Sequence, residues 1–374
     1  MRRYYRVRPG RLGFVVAALL NLAPGLVSAQ DSHYWTEQFG NRARLLGGAF
    51  IGGGTDISVV YYNPGRLATM EPELLLAGNA FQLQNSTVEP GIPNAESFDR
   101  FTFDLTPSLF AGQLKNEVAG GRIAFSFLTR TKSDFRLAGQ TGSGGDAIEG
   151  LPDISFANTS TFIESRVGDY WIGATWARAL GERVGLGVST FFATRSQNVR
   201  IQNASTLLRT DNRVEASSQI RDFSFYNVRL LWKVGLSTDI GRWQLGLTVT
   251  TPSISLFGDG TSTFESTLAA PDDAAGNPQG VLAADRQQVP SEFRSPLSVG
   301  FGVARTFGST GLYLATEWFQ QVDPYTILDT EPFEAQSSGA SLSSDVTHQL
   351  KSVTNVSIGV EHQLDPDRRL YERA

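Results

Sequence analysis

The sequence of 374 residues contains no cysteine. That absence excludes a disulfide framework, a thiolate metal site, a cysteine nucleophile and a lipid anchor carried on an N-terminal cysteine. Histidine is nearly absent too. His33, His348 and His362 are the only three, no two of them have metal-ligand spacing, and neither a Gly-x-Ser-x-Gly elbow nor a His-Glu-x-x-His motif occurs. Carboxylates such as Asp259, Asp272, Asp273 and Glu292 fall in predicted loops, where solvated surface is their ordinary role. The expectation is therefore no catalytic residue, no metal, no cofactor and no enzyme. Long hydrophobic runs are also missing, since beyond the N-terminus nothing approaches the roughly 18 apolar residues of a spanning helix. If this chain sits in a bilayer it must be a barrel, because only helices and closed barrels satisfy every backbone group inside hydrocarbon.

Residues 1–29 read as a secretory signal peptide. Arg2, Arg3, Arg6, Arg8 and Arg11 form a basic start, residues 12–22 are apolar, and Val27-Ser28-Ala29 offers small residues for cleavage before Gln30. The apolar run is too short to span a membrane, so export with a mature terminus at Gln30 is predicted. The leader holds five of the 32 basic residues and none of the 37 acidic ones, which leaves 27 against 37, a net charge of -10. Such a chain is a poor partner for nucleic acid.

Period-2 alternation runs through most of the mature chain. Val228, Leu230, Trp232, Val234 and Leu236 share one face; Trp243, Leu245, Leu247 and Val249 lie opposite Gln244, Gly246, Thr248 and Thr250. Leu297, Val299, Phe301 and Val303 alternate with Ser298, Gly300, Gly302 and Ala304, and Val356, Ile358 and Val360 repeat the pattern. These are half-apolar strands. The pattern predicts strands at 73–84, 98–113, 119–137, 161–179, 184–202, 218–239, 243–257, 293–307, 311–326 and 351–364, with an eleventh starting near Arg369. Connections alternate long and short, with short turns at Leu180-Gly181-Glu182-Arg183, Ile240-Gly241-Arg242, Gly308-Ser309-Thr310 and Asp365-Pro366-Asp367-Arg368, and long ones such as 258–292 and 327–350. Long loops on one side and tight turns on the other are the rhythm of an antiparallel transmembrane β-barrel of the outer membrane. A soluble sandwich has no reason to sort loop lengths by end, and no blade-length repeat suggests a propeller. Tyr170, Trp171, Trp176, Trp243, Trp318 and Tyr325 fall near predicted strand ends, where a headgroup girdle and a pore lining are both open to them.

Between the leader and the first strand runs Gly47-Gly48-Ala49-Phe50-Ile51-Gly52-Gly53-Gly54-Thr55-Asp56-Ile57-Ser58-Val59-Val60-Tyr61-Tyr62-Asn63-Pro64-Gly65-Arg66-Leu67-Ala68. This stretch resembles the N-terminal plug signature of the FadL-type outer-membrane transporters. The family pattern continues past Asn-Pro with Ala-Gly-Leu-Ala, where Gly65-Arg66 replaces Ala-Gly and Leu67-Ala68 is kept. Thr250-Thr251-Pro252-Ser253 and Arg294-Ser295-Pro296-Leu297 are further family-like echoes. A dinucleotide-binding reading of the glycines needs a preceding strand and a βαβ unit, whereas a leader and a plug sequence surround them.

The resemblance implies a plug at 30–70, with Phe39, Leu45, Leu46, Phe50, Ile51, Tyr61, Tyr62, Asn63 and Pro64 as candidate plug and ligand residues, inside a barrel at 71–374. It also implies passive uptake of hydrophobic small molecules, long-chain fatty acids or aromatic hydrocarbons, by a monomer surrounded by outer-membrane lipid. The rivals are a general porin for polar solutes and a non-transporting adhesin or structural barrel. The family barrel has fourteen strands against ten and a stub here, so a C-terminal truncation is expected.

Overall fold

The computed structural model describes residues 37–72, 74–88, 98–144, 154–270, 279–365 and 368–373; the expected signal peptide and its cleavage site lie outside them. Strand follows strand: β1 (Leu74–Val88), β2 (Phe98–Gln113), β3 (Arg122–Gly144), β4 (Ile154–Leu180), β5 (Val184–Arg209), β6 (Val214–Ile240), β7 (Trp243–Thr250), β8 (Ile254–Ala270), β9 (Gln279–Pro290), β10 (Ser298–Phe307) and β11 (Thr310–Phe319). Two small ladders come next, β12 (Val322–Leu328) with β15 (Val346–Leu350) and β13 (Phe333–Glu334) with β14 (Ser341–Leu342). The chain then continues into β16 (Val353–Asp365) and β17 (Arg368–Arg373). Apart from the two small ladders, these strands form one sheet of thirteen, in which every recorded pairing is antiparallel and the order β1 to β7 leads on to β10, β11, β16 and β17. Among the described residues, β1 and β17 end this sheet without pairing to each other.

The strand expected at 243–257 is split into β7 and β8, and the one expected at 293–307 is cut short at its start. β7 and β8 both pair with β6, β8 pairs with β9, and β7 pairs with β10. The breaks fall at Pro252 and Pro296, which cannot donate to a ladder, and face each other through Ser253 N–H to Ser295 O (3.3 Å) and Ser295 N–H to Ser253 Oγ (2.7 Å). The expected strand at 293–307 therefore begins only at Ser298, and the one expected at 311–326 divides into β11 on the wall and β12, which leaves it to pair with β15.

The predicted long loops are also corrected. β3 to β6 run 23, 27, 26 and 27 residues, and much of 258–292 is β8 and β9. The connection expected to be long after Gln202 is a four-residue turn closed by Arg209 N–H to Arg213 O (2.9 Å). A spanning barrel strand needs only about 9–11 residues, so these ladders extend well beyond a bilayer. At the far ends of β4, β5 and β6 side chains on both faces are mostly half-exposed, the apolar half of the alternation disappears, and the period-2 signal goes with it although the hydrogen-bonded ladder continues.

Lower on the wall the alternation holds. Leu236, Leu247 and Phe301 are exposed neighbours in one cross-strand row, while Gly235, Gly246 and Gly302 are buried on the inner face. Leu247→Arg is expected to destabilise the barrel by about 2–4 kcal/mol if it lies near the bilayer midplane, measured by denaturant titration in lipid vesicles; a cost near zero would contradict the outward facing. The opposite face is not a cheap site for arginine, because Thr248 is buried against the interior at 1 % exposure.

Candidate functional site

The segment expected to be a plug packs compactly on the inner face of the sheet: α1 (Asn41–Leu45), α2 (Val59–Tyr62) and a 3-10 turn at Pro64–Thr69. Its first helix starts from Gly40 at φ +86 and is followed by Gly47 and Gly48, also at positive φ, where only glycine is free of strain. Asp56 Oδ1 accepts from Ser58 N–H and Oγ–H and nucleates the second helical turn. Burial holds the carboxyl of Asp56 above its usual range. Phe39, Leu46, Phe50, Ile51, Tyr61 and Tyr62 then close a buried core, with the rings of Phe39 and Tyr61 edge to face at 4.4 Å.

The wall accommodates the plug by giving up side chains. A Cβ on Gly246 would collide with the Ile51 carbonyl, one on Gly235 with Asn63 and Pro64, one on Gly187 with Pro64, one on Gly302 with Gly52, and one on Gly359 with Leu46. Hydrogen bonds then tie the segment to β5, β6, β11 and β16 of the wall. Asn63 Nδ2 donates to Ile51 O (2.9 Å) within the plug and to Leu236 O (3.1 Å) on β6, while its Oδ1 accepts from Gly65 N–H. Arg66 donates to Gly52 O (2.8 Å) and pairs with Asp239 (2.7 Å). Arg42 joins Glu361 and Tyr313, Ser357 Oγ donates to Gly47 O, and Ser189 Oγ donates to Val60 O.

Register places further layers above the plug. On β5 the inward residues are Ser189, Phe191, Ala193, Arg195, Gln197 and Val199; on β6 they are Lys233, Leu231, Arg229, Asn227, Phe225 and Phe223. The first layer is aromatic and apolar, with Trp171 5.2 Å from Phe191 and 6.2 Å from Tyr61. Lys233 lies over the Tyr61 ring (4.7 Å to its centre) and pairs with Glu317 at 3.4 Å.

A charged layer follows, in which both oxygens of Asp169 accept from Arg229 Nη2 (2.7 and 2.8 Å), Trp171 Nε1 donates to Oδ1 (2.9 Å), and Arg195 stands 3.9 Å away. Asp169, Arg195 and Arg229 are all buried, and buried charges persist only when paired in this way. Above them Val199, Phe223, Phe225, Phe293, Tyr325, Ile327, Leu328 and Val346 form a second apolar cluster.

That cluster is completed from two sides. The β12–β15 hairpin folds back over the inner face of β5, β6 and β8, and Ser262 Oγ donates to Ser344 O (2.7 Å) to hold it there. Residues 291–297 leave the wall after Pro290, rejoin it after Pro296, and are drawn to the hairpin by Glu292 N–H to Ile327 O (3.0 Å) and Arg294 N–H to Tyr325 Oη (3.0 Å). Burial pushes the Tyr325 phenol up to about 12, so it stays a neutral hydrogen-bonding partner near neutral pH.

Between hairpin and wall lies a cavity of about 210 Å³ whose apolar lining is Val199, Ile201, Phe223, Phe264 and Val346, with Arg221 and Asp345 among its polar groups. Asp345 Oδ1 accepts from Thr330 N–H and Oγ1–H (2.8 Å each) and closes the hairpin loop. Partial burial pulls its carboxyl up, but hydrogen bonds from Ser343 and Thr330 outweigh this and hold it below the ordinary carboxylate value. A depressed carboxylate pKa stabilises above the unfolded value and loses its contribution as pH falls through the folded one. Pepsin cleavage within 329–345 is accordingly expected to begin only below the usual carboxylate range; cleavage that starts at or above that range would contradict the clip.

Of the nine residues singled out from sequence, the structure gathers eight into the buried plug: Phe39, Leu46, Phe50, Ile51, Tyr61, Tyr62, Asn63 and Pro64. Leu45 is the exception, 46 % exposed at the end of the first helix, because its neighbours Ala43 and Leu46 take the inward positions of a helix only five residues long. Trp171 and Tyr325 face inward, whereas Trp243 and Trp318 face outward. Sequence reasoning missed Asp169, Arg195, Arg229, Lys233 and Glu317. Their signal is a charge at the polar positions of alternating strands, in register with the small inward residues. Arg66 departs from the family pattern, and it ties its segment to Asp239 on β6.

No family model and no curated protein matches the sequence. Among solved structures the chain is similar to the Pseudomonas putida toluene transporter TodX, at TM-score 0.57 and 13 % identity over 90 % of this chain and 82 % of that one. It is also similar to the CymD monoaromatic hydrocarbon channel, at TM-score 0.52 and 11 % identity over 90 % and 82 %. At such identities the likeness is one of fold, and that fold is the FadL-type outer-membrane transporter fold.

Proposed function

We propose that this chain is an outer-membrane channel through which hydrophobic small molecules enter by passive diffusion. The observation that carries the reading is the order of layers in the lumen: an apolar cavity between hairpin and wall, a paired charged layer, an aromatic layer, and a plug seated on glycines. A general porin needs a water-filled, charge-lined passage in place of the plug, and an adhesin or structural barrel has no use for an apolar cavity. An apolar cavity of about 150 Å³ takes up benzene, so about 210 Å³ suits a molecule of one ring. The two hydrocarbon channels of the same fold point the same way.

The physical need is plain. Lipopolysaccharide resists apolar solutes and aqueous porins disfavour them, so a lumen with apolar steps gives them a route, provided each step binds weakly enough to release. No cofactor, energy source or nucleic-acid partner enters this reading, and the working unit is a monomer in outer-membrane lipid.

The test is the initial rate of uptake of labelled toluene and of labelled glucose by a porin-deficient Gram-negative host, whose lipopolysaccharide leaflet is intact, with and without the chain. Expression is expected to speed toluene several-fold and leave glucose unchanged. Faster glucose with unchanged toluene would favour the porin, and no change in either would favour the non-transporting barrel.

A further inference from the structure

Phe293 is not placed as a wall residue or as an ordinary core residue. Its segment leaves the β8–β9 ladder at one end and enters the β7–β10 ladder at the other, and the detour delivers one ring to the interior at 3 % exposure. There two guanidiniums stand over the ring, Arg195 at 4.2 Å and Arg229 at 4.7 Å from its centre. Phe225 stacks at 6.3 Å, and His348 lies at 5.2 Å. Nε and Nη1 of Arg229 are buried with no hydrogen-bond partner, and that guanidinium has the π face of Phe293 against it.

The slot stands at the junction of the lumen's layers. Its guanidiniums share Asp169 with Trp171, which touches Tyr61 of the plug, and its ring belongs to the same apolar cluster as Val199, Phe223 and Val346, which line the outer cavity. A ring moving from cavity to plug meets this slot on the way, and two guanidinium faces prefer a π face to a saturated one.

We propose that the slot beneath Arg195 and Arg229 is a transit site for a single neutral aromatic ring of the permeating molecule, and that Phe293 is the gate that fills it when no ligand passes. The proposal rests on the hydrophobic-channel reading and narrows it from apolar solutes in general to monocyclic aromatic ones. The segment is suited to gating. On either side of Phe293 it bonds the hairpin, through Glu292 N–H to Ile327 O and Arg294 N–H to Tyr325 Oη, and it meets the wall only at its ends, Ser291 and Ser295, so the ring swings without unzipping the sheet.

The test compares uptake of toluene with that of methylcyclohexane, a saturated molecule of nearly the same size, in the same porin-deficient host. Wild type is expected to favour toluene by up to about tenfold, the scale of a desolvated cation–π contact. Phe293→Ala should raise toluene uptake several-fold and keep the preference, because both guanidiniums remain. Phe293→Leu keeps most of the volume but loses the π face; it should raise toluene uptake less and decides the matter if the alanine variant fails to reach the membrane as a heat-modifiable species. Equal handling of the two solutes by wild type would overturn the aromatic site while leaving the channel reading intact. So would a fall in toluene uptake, or none of the expected rise, in the folded variants. Uptake of neither solute would overturn the channel reading itself and this proposal with it.

Discussion

Asp169→Asn is expected to cost the folded barrel about 3–5 kcal/mol, the scale found when one partner of a buried ion pair is removed and the other is left uncompensated. The substitution keeps the shape and deletes only charge. Arg229, which gives both of its bonds from Nη2 to the carboxylate, and Arg195 at 3.9 Å then face an amide in a place from which water is excluded. Trp171 keeps a hydrogen-bond acceptor, so its ring should stay in place. Denaturant titration in lipid vesicles measures the loss. The triple variant Asp169→Leu with Arg195→Met and Arg229→Met should recover much of it, because apolar replacement of a whole buried ionic group is often close to neutral. A cost below about 1 kcal/mol for Asp169→Asn would mean that the layer is hydrated and that the lumen is more open than its packing shows.

The second large effect concerns conductance. Gly246→Val should displace the plug without unzipping the wall, since the new side chain would fall on the Ile51 carbonyl and the Asn63 amide, whereas the β7 pairings to β6 and β10 run through the backbone. The outcome expected is a folded barrel that leaks ions. Gly181→Ala is the matching control: its φ of +76 makes alanine strained, yet a Cβ there meets nothing within 4 Å, so stability should fall slightly and conductance should not change. A silent Gly246→Val channel with native stability would argue that the plug is not what seals the lumen.

How far the sequence could be read follows from what each part of the molecule faces. The lower wall was legible because lipid outside and plug inside impose an alternation: Leu247 and Phe301 on one side, Gly246 and Gly302 on the other. The plug was legible because tight packing against a wall requires a particular run of glycines followed by Asn63-Pro64. The upper ladders were not, since residues such as Ser205, Thr206, Ser217 and Ser218 are β-compatible on a sheet mostly half-exposed on both faces and carry no apolar rhythm.

The strand expected at 293–307 starts at Phe293, which the structure places off the ladder. Pro296, three residues on, was the available sign that the ladder breaks there, and its counterpart Pro252 marks the same level on β7 and β8. The inner charges went unnoticed because a charge at a polar position of a strand looks solvated until the register shows Asp169 opposite Arg195 and on the same inner face as Arg229.

The central claim is a lumen closed to ions yet passable to apolar solutes, and ion conductance of the purified intact chain in a planar bilayer tests it most directly. With Asn63, Arg66 and Arg42 latching the plug to β6, β11 and β16, the intact chain should show no steady current under conditions where Gly246→Val conducts. A stable, ohmic open-channel current from the intact chain would contradict the account and identify a water-filled pore.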